Sequence, residues 1–215
     1  MRVAWRGVGL LFVVAMLVPA TAGASHRPSA CERLKGKDLA PHAKVKLVER
    51  ANADDGKDLL GCVLPAGRVR RVASSADYYT SGENYSIRRI ARTVLLMDSS
   101  SDSQYGSARS TWVYDIRTGR SYGIASSSYL LGEPASDPSD TTATTAFVNK
   151  AGQAVAAIVP DGTASLTIAG FSAKGKRADL DSGTPEELPA PSLGLNYSTA
   201  YWTHSGEPRS AELPG

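Results

Sequence analysis

Three stretches decide the fold: GRVRRVAS (67–74), GRSYGIAS (119–126) and GKRADLDS (175–182). Each opens on a glycine, Gly67, Gly119 or Gly175, followed by a basic residue and three variable ones. Then come Val72, Ile124 or Leu180, a small or acidic residue, and Ser74, Ser126 or Ser182. The spacings are 52 and 56 residues. Before each glycine stands an apolar run of strand length: DLLGCVL (58–64), STWVYDI (110–116) and SLTIAGF (165–171). Upstream lies a second run: AKVKLVER (43–50), RTVLLMDS (92–99) and QAVAAIVP (153–160). A strand that reverses needs a residue tolerant of positive φ, which glycine supplies. Val, Ile, Tyr and Trp dominate the runs, as a pleated, half-buried surface favours.

The pattern predicts a repeated three-stranded antiparallel meander, each unit short of a fourth strand. A partial fourth copy, YWTHSG (201–206) and EPR (207–209), ends the chain. One meander cannot bury both of its faces, so successive units must stack. Equal offsets from equivalent turns place Val72, Ile124 and Leu180 in the core. Trp112 and Tyr114 belong on one strand face, and Val113 on the other with Asp115. The run from Thr93 to Met97 is almost continuously apolar and reads as buried on both faces. Helical periodicity is scarce. One possible helix start, TPEE (184–187), is stopped by Pro189. Polar stretches at Ser74–Gly82, Ser99–Arg109 and Gly132–Thr145 read as loops.

TWVYDIRTGRSY (111–122) resembles the hairpin of secreted β-propeller blades. AYWTHSGEPRSAEL (200–213) is similar to the closing strands of such blades in uncharacterised exported proteins of actinobacterial type. The resemblance covers roughly residues 43–214 and implies an all-β fold of antiparallel meander repeats, an open or partial β-propeller-like array. A β-sandwich of the same meanders is the alternative. The expected organisation is a signal peptide (1–24), an N-terminal arm (25–42) and one β-repeat domain (43–215).

The leader is read from Arg2 and Arg6, an apolar run VGLLFVVAMLV (8–18), Pro19 and the small residues ATAGA (20–24). That order is a secretory signal, and the run is too short to span a bilayer. The chain has 215 residues, with 24 basic and 21 acidic side chains and a net charge of +3. Without residues 1–24 the count is 22 against 21, or +1. Such a balance gives no electrostatic case for nucleic acid or an anionic membrane. Cys31 and Cys62 are the only cysteines, and an even count in an exported chain favours a disulfide. It would staple Ser25–Pro41 onto the first strands.

Motifs for chemistry are sparse. His26, His42 and His204 fall in no metal-ligand spacing, and no GxSxG elbow appears. His204 reads as a turn residue beside Gly206. Asp98, Asp102 and Asp115 read as turn carboxylates. DSSSD (98–102) and DPSD (137–140) are oxygen-rich but lack the loop pattern of a calcium site. Arg68, Arg70, Arg71, Arg88 and Arg89, with Tyr78, Tyr79 and Tyr85 between, could bind sugars or nucleic acid, but edge-strand protection explains exposed charges on strands. Asn84 and Asn196 head glycosylation sequons, which matter only in a eukaryotic host. No cofactor or metal is implied. The expected function is a secreted or cell-envelope binding or scaffold module, non-enzymatic, with a protein or glycan partner and no membrane span in the mature chain. An extracellular hydrolase on the same scaffold is the alternative.

Overall fold

The structure, a computed structural model, describes residues 28–41, 44–53, 55–75, 77–78, 81–130 and 140–215, with backbone alone at 77–78, 81–82 and 129–130. The signal segment, His26, His42, Tyr79 and Asp137 lie outside the described residues.

Among the described residues sixteen strands form four antiparallel sheets, none of them closed on itself. The first sheet holds β1 (Lys37–Asp38), β2 (Val45–Ala51), β3 (Lys57–Val63) and β4 (Arg70–Ser74). The second holds β5 (Asp77–Tyr78), β6 (Ser81–Ala91), β7 (Val94–Ser103), β8 (Gly106–Asp115) and β9 (Arg120–Leu130). The third holds β10 (Thr141–Val148), β11 (Ala154–Pro160), β12 (Leu166–Phe171) and β13 (Arg177–Gly183). The fourth holds β14 (Gly194–Asn196), β15 (Thr199–His204) and β16 (Glu207–Glu212). Every sheet is a meander in sequence order, so the fold is all-β and repeat-built. The TPEE segment makes a turn in which Thr184 and Glu187 cap each other's backbone N–H, and only a short 3₁₀ turn, Ala190–Ser192, follows.

The expectation of three-stranded units is corrected by the structure. Strands stand ahead of the three read from the sequence in each of the first three sheets: the two-residue β1 in the first, β5 and β6 in the second, and β10 in the third. Likewise Ser99–Arg109 is the β7–β8 hairpin, paired from Val94↔Asp115 out to Ser103↔Gly106. β10 and Ser99–Arg109 are rich in Ser and Thr, whose hydroxyls cost nothing on an open strand face, and β6 mixes Gly, Glu, Asn and Arg with two isoleucines, so no clean apolar alternation betrays them.

Sheets stack in chain order, with a hydrophobic cluster between each successive pair. Val45, Leu47, Leu59 and Val72 meet Leu95, Met97 and Tyr114 between the first and second. Val94, Leu96, Val113 and Ile124 meet Ala154, Ala156, Ile158 and Phe171 between the second and third. Val155, Ala157, Leu166 and Ile168 meet Ala200, Trp202 and Leu213 between the third and fourth. The alternation of Val94, Leu95, Leu96 and Met97 between two clusters is the two-sided burial that the continuous apolar run implied. Trp112 and Tyr114 share the face toward the first sheet, with rings 6.0 Å apart and edge-on, while Val113 faces the third.

The repeat register is carried by a β-bulge. In the first sheet Leu59 pairs with Ala73 and Leu60 with Arg71, so Val72 is the extra residue. In the second, Thr111 pairs with Ala125 and Trp112 with Gly123, leaving Ile124. In the third, Ile168 pairs with Asp181 and Ala169 with Asp179, leaving Leu180. A bulge turns two successive residues to one side. The side chain at the bulge and the one after it therefore both point at the next sheet. Val72 and Ile124 are buried there, and Leu180 is half-buried.

The two ends of the stack differ. Cys31 is bonded to Cys62 on β3, and the arm lies over the outer face of the first sheet. Gly36 sits so close to Val48 that a Cβ would come within 2.1 Å of its Cγ1, and Lys46 Nζ donates to Glu32 O. Val48, Leu60 and Cys62 on that face are buried. At the other end Tyr201, Ser210 and Glu212 on the fourth sheet are exposed, a polar outer face of the kind that terminates stacked repeats.

Candidate functional site

The second sheet outgrows its neighbours. Strands β6 to β9 have 10 or 11 residues, against 5 to 7 in β2 to β4. Its hydrophobic half is consumed by the two flanking clusters, and its distal half carries polar rows across four strands. One row is Tyr85, Ser99, Ser110 and Ser126; the next is Asn84, Ser100, Arg109 and Ser127. Successive rows point to opposite faces, so both faces of the protruding sheet are hydroxyl-lined. Ser99 and Ser110 share a hydrogen bond of 2.7 Å.

Two grooves result. One, of about 300 Å³, lies between the second sheet and β10 and is lined by Arg88, Asp98, Ser100, Arg109, Thr111 and Ser127 among others. The other, of about 530 Å³, lies on the side of the first sheet and includes Tyr85, Trp112, Glu83, Ser74, Ser126 and Asp140. Ser100, Arg109, Ser110 and Ser127 line both. Arg109 is exposed, a guanidinium set among hydroxyls. Arg88 Nε meets Asp98 Oδ2 at 2.7 Å, and Thr111 donates to the other Asp98 oxygen at 2.7 Å. Tyr85 donates to Glu49 Oε1 at 3.3 Å. Burial, with the Glu49 carboxylate beside it, pushes the Tyr85 hydroxyl up to about 12, so it is a donor at any physiological pH.

The residues singled out by sequence separate into distinct roles. Arg70 and Arg89 join sheets: Arg70 donates to Arg117 O at 3.3 Å, and Arg89 lies 4.7 Å from the Phe147 ring centroid. Arg88 and Tyr85 belong to the grooves. Asp115 accepts from Thr93, Thr118 and the Arg117 N–H at the β8–β9 turn. Asp98 and Asp102 are four residues apart on β7, hence about 13 Å apart along one face and unable to converge on an ion. Among the described residues no group of three metal-ligating side chains comes together.

Gly119 and Gly175 sit in hairpin turns with φ of 75° and 82°. Gly67 differs. It follows a cis Leu64–Pro65 bond, its φ is outside the left-handed region, and its N–H donates to Val63 O at 2.7 Å. There the missing side chain permits close backbone approach: a Cβ would stand 2.3 Å from Val63 O.

Asp181 is the polar residue that the sequence reading passed over. Its Oδ2 accepts from Trp202 Nε1 at 2.7 Å and lies 2.9 Å from His204 Nδ1. Partial burial would raise its pKa, but the hydrogen bonds from His204, Trp202 and the Ser182 N–H together hold it below the usual carboxylate value. Among the described residues no hydroxyl is bonded to His204. The only hint in the sequence was that Asp181 stands where the other repeats have Ala73 and Ala125.

Among the described residues no helix is long and apolar enough to cross a membrane. Comparison with protein-family models, curated proteins and solved structures finds no match to this chain.

Proposed function

We propose that the chain is an exported, non-enzymatic binding module, a β-propeller-like open array of blades whose protruding second sheet takes a glycan. The observation that carries this reading is the hydroxyl ladder of the protruding sheet, with Ser99 and Ser110 beside Tyr85 and Trp112 on one face and Ser100 and Ser127 beside the exposed Arg109 on the other. Sugars are bound by hydroxyls and planar charged donors supplemented by aromatic surface, and this ladder presents all three on strands rather than on loops. Export is supported by the charged, apolar and small-residue order of residues 1–24 and by the Cys31–Cys62 bridge.

The alternative of an extracellular hydrolase has one observation in its favour. Asp181 orients His204 through Nδ1, the service a carboxylate renders to a general base. The pair lines neither groove, and the same carboxylate is already used to bind Trp202.

A microarray of neutral and uronate-bearing glycans, probed with the purified mature chain, separates these readings. The binding module should retain a defined subset of glycans intact, and Arg109→Ala should weaken capture by about tenfold, as expected for loss of a charged donor. Absence of any glycan signal, or signal indifferent to Arg109→Ala, counts against it. Glycan cleavage abolished by His204→Ala would install the hydrolase instead.

A further inference from the structure

A third groove, of about 630 Å³, lies elsewhere, where the β6–β7, β10–β11 and β14–β15 turns meet. Its floor is aliphatic, with Ile90, Val148 and Leu195 each supplied by a different sheet. Each also belongs to, or packs against, a different inter-sheet cluster, so all three cores reach the surface at this one place. Its rim is cationic: Arg92 and Lys150 are exposed, and no carboxylate is among the lining residues. The nearby Glu212 is occupied by the hydroxyls of Ser198 and Thr199. Tyr197 stands at the mouth, 85% exposed.

Two features make this groove prearranged. Asn149 stiffens it: its Nδ2 donates to Gln153 Oε1 at 2.9 Å and to Tyr197 O at 2.7 Å, tying the third-sheet turn to the fourth. Moreover, Arg92 and Tyr197 occupy the left-handed region, at φ of 62° and 51°, in two-residue hairpin turns. Glycine or asparagine is the ordinary choice there. A bulky residue held in that conformation is strained, and at both positions the strained residue is also the one that projects its side chain at the groove.

We infer that this groove docks an acidic peptide segment of a protein partner, an apolar side chain seated over Ile90, Val148 and Leu195 and its carboxylates against Arg92 and Lys150. An aliphatic floor, an exposed tyrosine and an arginine are the composition of a protein-binding hot spot. A sugar would leave that floor unfilled. This site is separate from the hydroxyl-lined grooves and does not depend on the glycan reading.

The test is selection of a random peptide library, displayed on phage, on the immobilised disulfide-bonded mature chain. The enriched peptides should be rich in Asp and Glu adjacent to Leu, Ile or Phe. A synthetic copy of the best peptide should lose at least about tenfold in affinity for an Arg92→Glu/Lys150→Glu variant. Arg92→Gly supplies the second readout. It removes the cation and relaxes the backbone, so the thermal midpoint should hold or rise while peptide affinity falls. A purely structural Arg92 would give no such opposition. The inference is overturned if no peptides enrich, if the enriched set has no acidic bias, or if binding survives the charge reversal. Capture of polygalacturonate by this groove, lost with Arg92→Glu, would overturn it in favour of an acidic glycan.

Discussion

Arg70 lies against Gly119: a Cβ at that glycine would come within 2.5 Å of the guanidinium Nη1. One repeat later Tyr122 lies against Gly175 in the same way, 2.7 Å from the position of a Cβ. Arg70 and Tyr122 each stand three residues after the preceding turn glycine. One position of a repeat therefore packs on the turn of the next. The two residues also bond across the same junctions: Arg70 donates to Arg117 O, and Tyr122 donates to Gly152 O at 2.7 Å. Burial pushes the Tyr122 hydroxyl far up, so it remains a donor.

Alanine substitutions at the turn glycines should therefore fall in a definite order. Gly206 has φ of 82° but nothing within 4 Å of a Cβ, so Gly206→Ala should cost only the left-handed conformation, about 1–2 kcal/mol. Gly119→Ala adds a contact with the far end of a flexible arginine and should cost slightly more. Gly175→Ala meets Tyr122 at its Cβ, which cannot swing away, and should cost most of the three. Urea denaturation of the three variants checks the ranking; equal losses would mean that the inter-sheet contact contributes nothing.

The bulge residues give a second series. Ile124 is 5% exposed between the second and third sheets, and Ile124→Ala should cost about 2–5 kcal/mol through lost burial and a residual cavity. Leu180→Ala should cost less, because Leu180 is only half-buried at the rim of its cluster. Arg120→Ala, on an exposed side chain, should stay within about 0.5 kcal/mol. A mild Ile124→Ala in equilibrium unfolding would refute the role given to the bulge.

The strands that feed the cores were legible because burial forces an apolar pattern. Leu95, Leu96 and Met97 had to be apolar on alternate faces, and the spacing of Val72, Ile124 and Leu180 carried the repeat. What was illegible is instructive. The distal halves of β6 to β9 protrude from the stack, and β10, TTATTAFV, buries only Ala143 and Val148 outright, so burial imposes little apolar pattern on these segments and their hydroxyl residues read as loop. The hydroxyl-lined grooves are made of those same residues. The groove at Arg92, Lys150 and Tyr197 was equally hidden, since it is assembled from turns more than 40 residues apart. Asp181 was invisible for another reason. Its partners Trp202 and His204 lie on the next sheet, and only the bulge at Leu180 aims it at them.

Removing the bridge should be felt at one end of the stack. In the double variant Cys31→Ser/Cys62→Ser the arm loses its covalent hold over Val48 and Leu60. For a sequence separation of 31 residues the chain-entropy contribution is about 3–4 kcal/mol. Limited proteolysis should then cleave within residues 28–41 first, with the midpoint of urea unfolding lowered. An arm that stays protected with an unchanged midpoint would show that its noncovalent contacts suffice.

Asp181 makes the junction of the third and fourth sheets sensitive to acid. Its carboxylate is more acidic in the fold than in the unfolded chain, where about 3.9 is usual, because Trp202 and His204 donate to its charged form. A depressed folded pKa contributes stability above the unfolded value and loses it as pH falls through the folded one, since the unfolded chain then takes up the proton first. The difference in unfolding free energy between the wild-type chain and Asp181→Ala should accordingly be widest near neutral pH. It should narrow as pH drops from about 5 to below about 3. Intrinsic fluorescence of Trp202 should report the same loss, because its indole N–H gives up a charged acceptor. A gap between the two proteins that stays constant across that range would mean that Asp181 acts by packing and not through its charge.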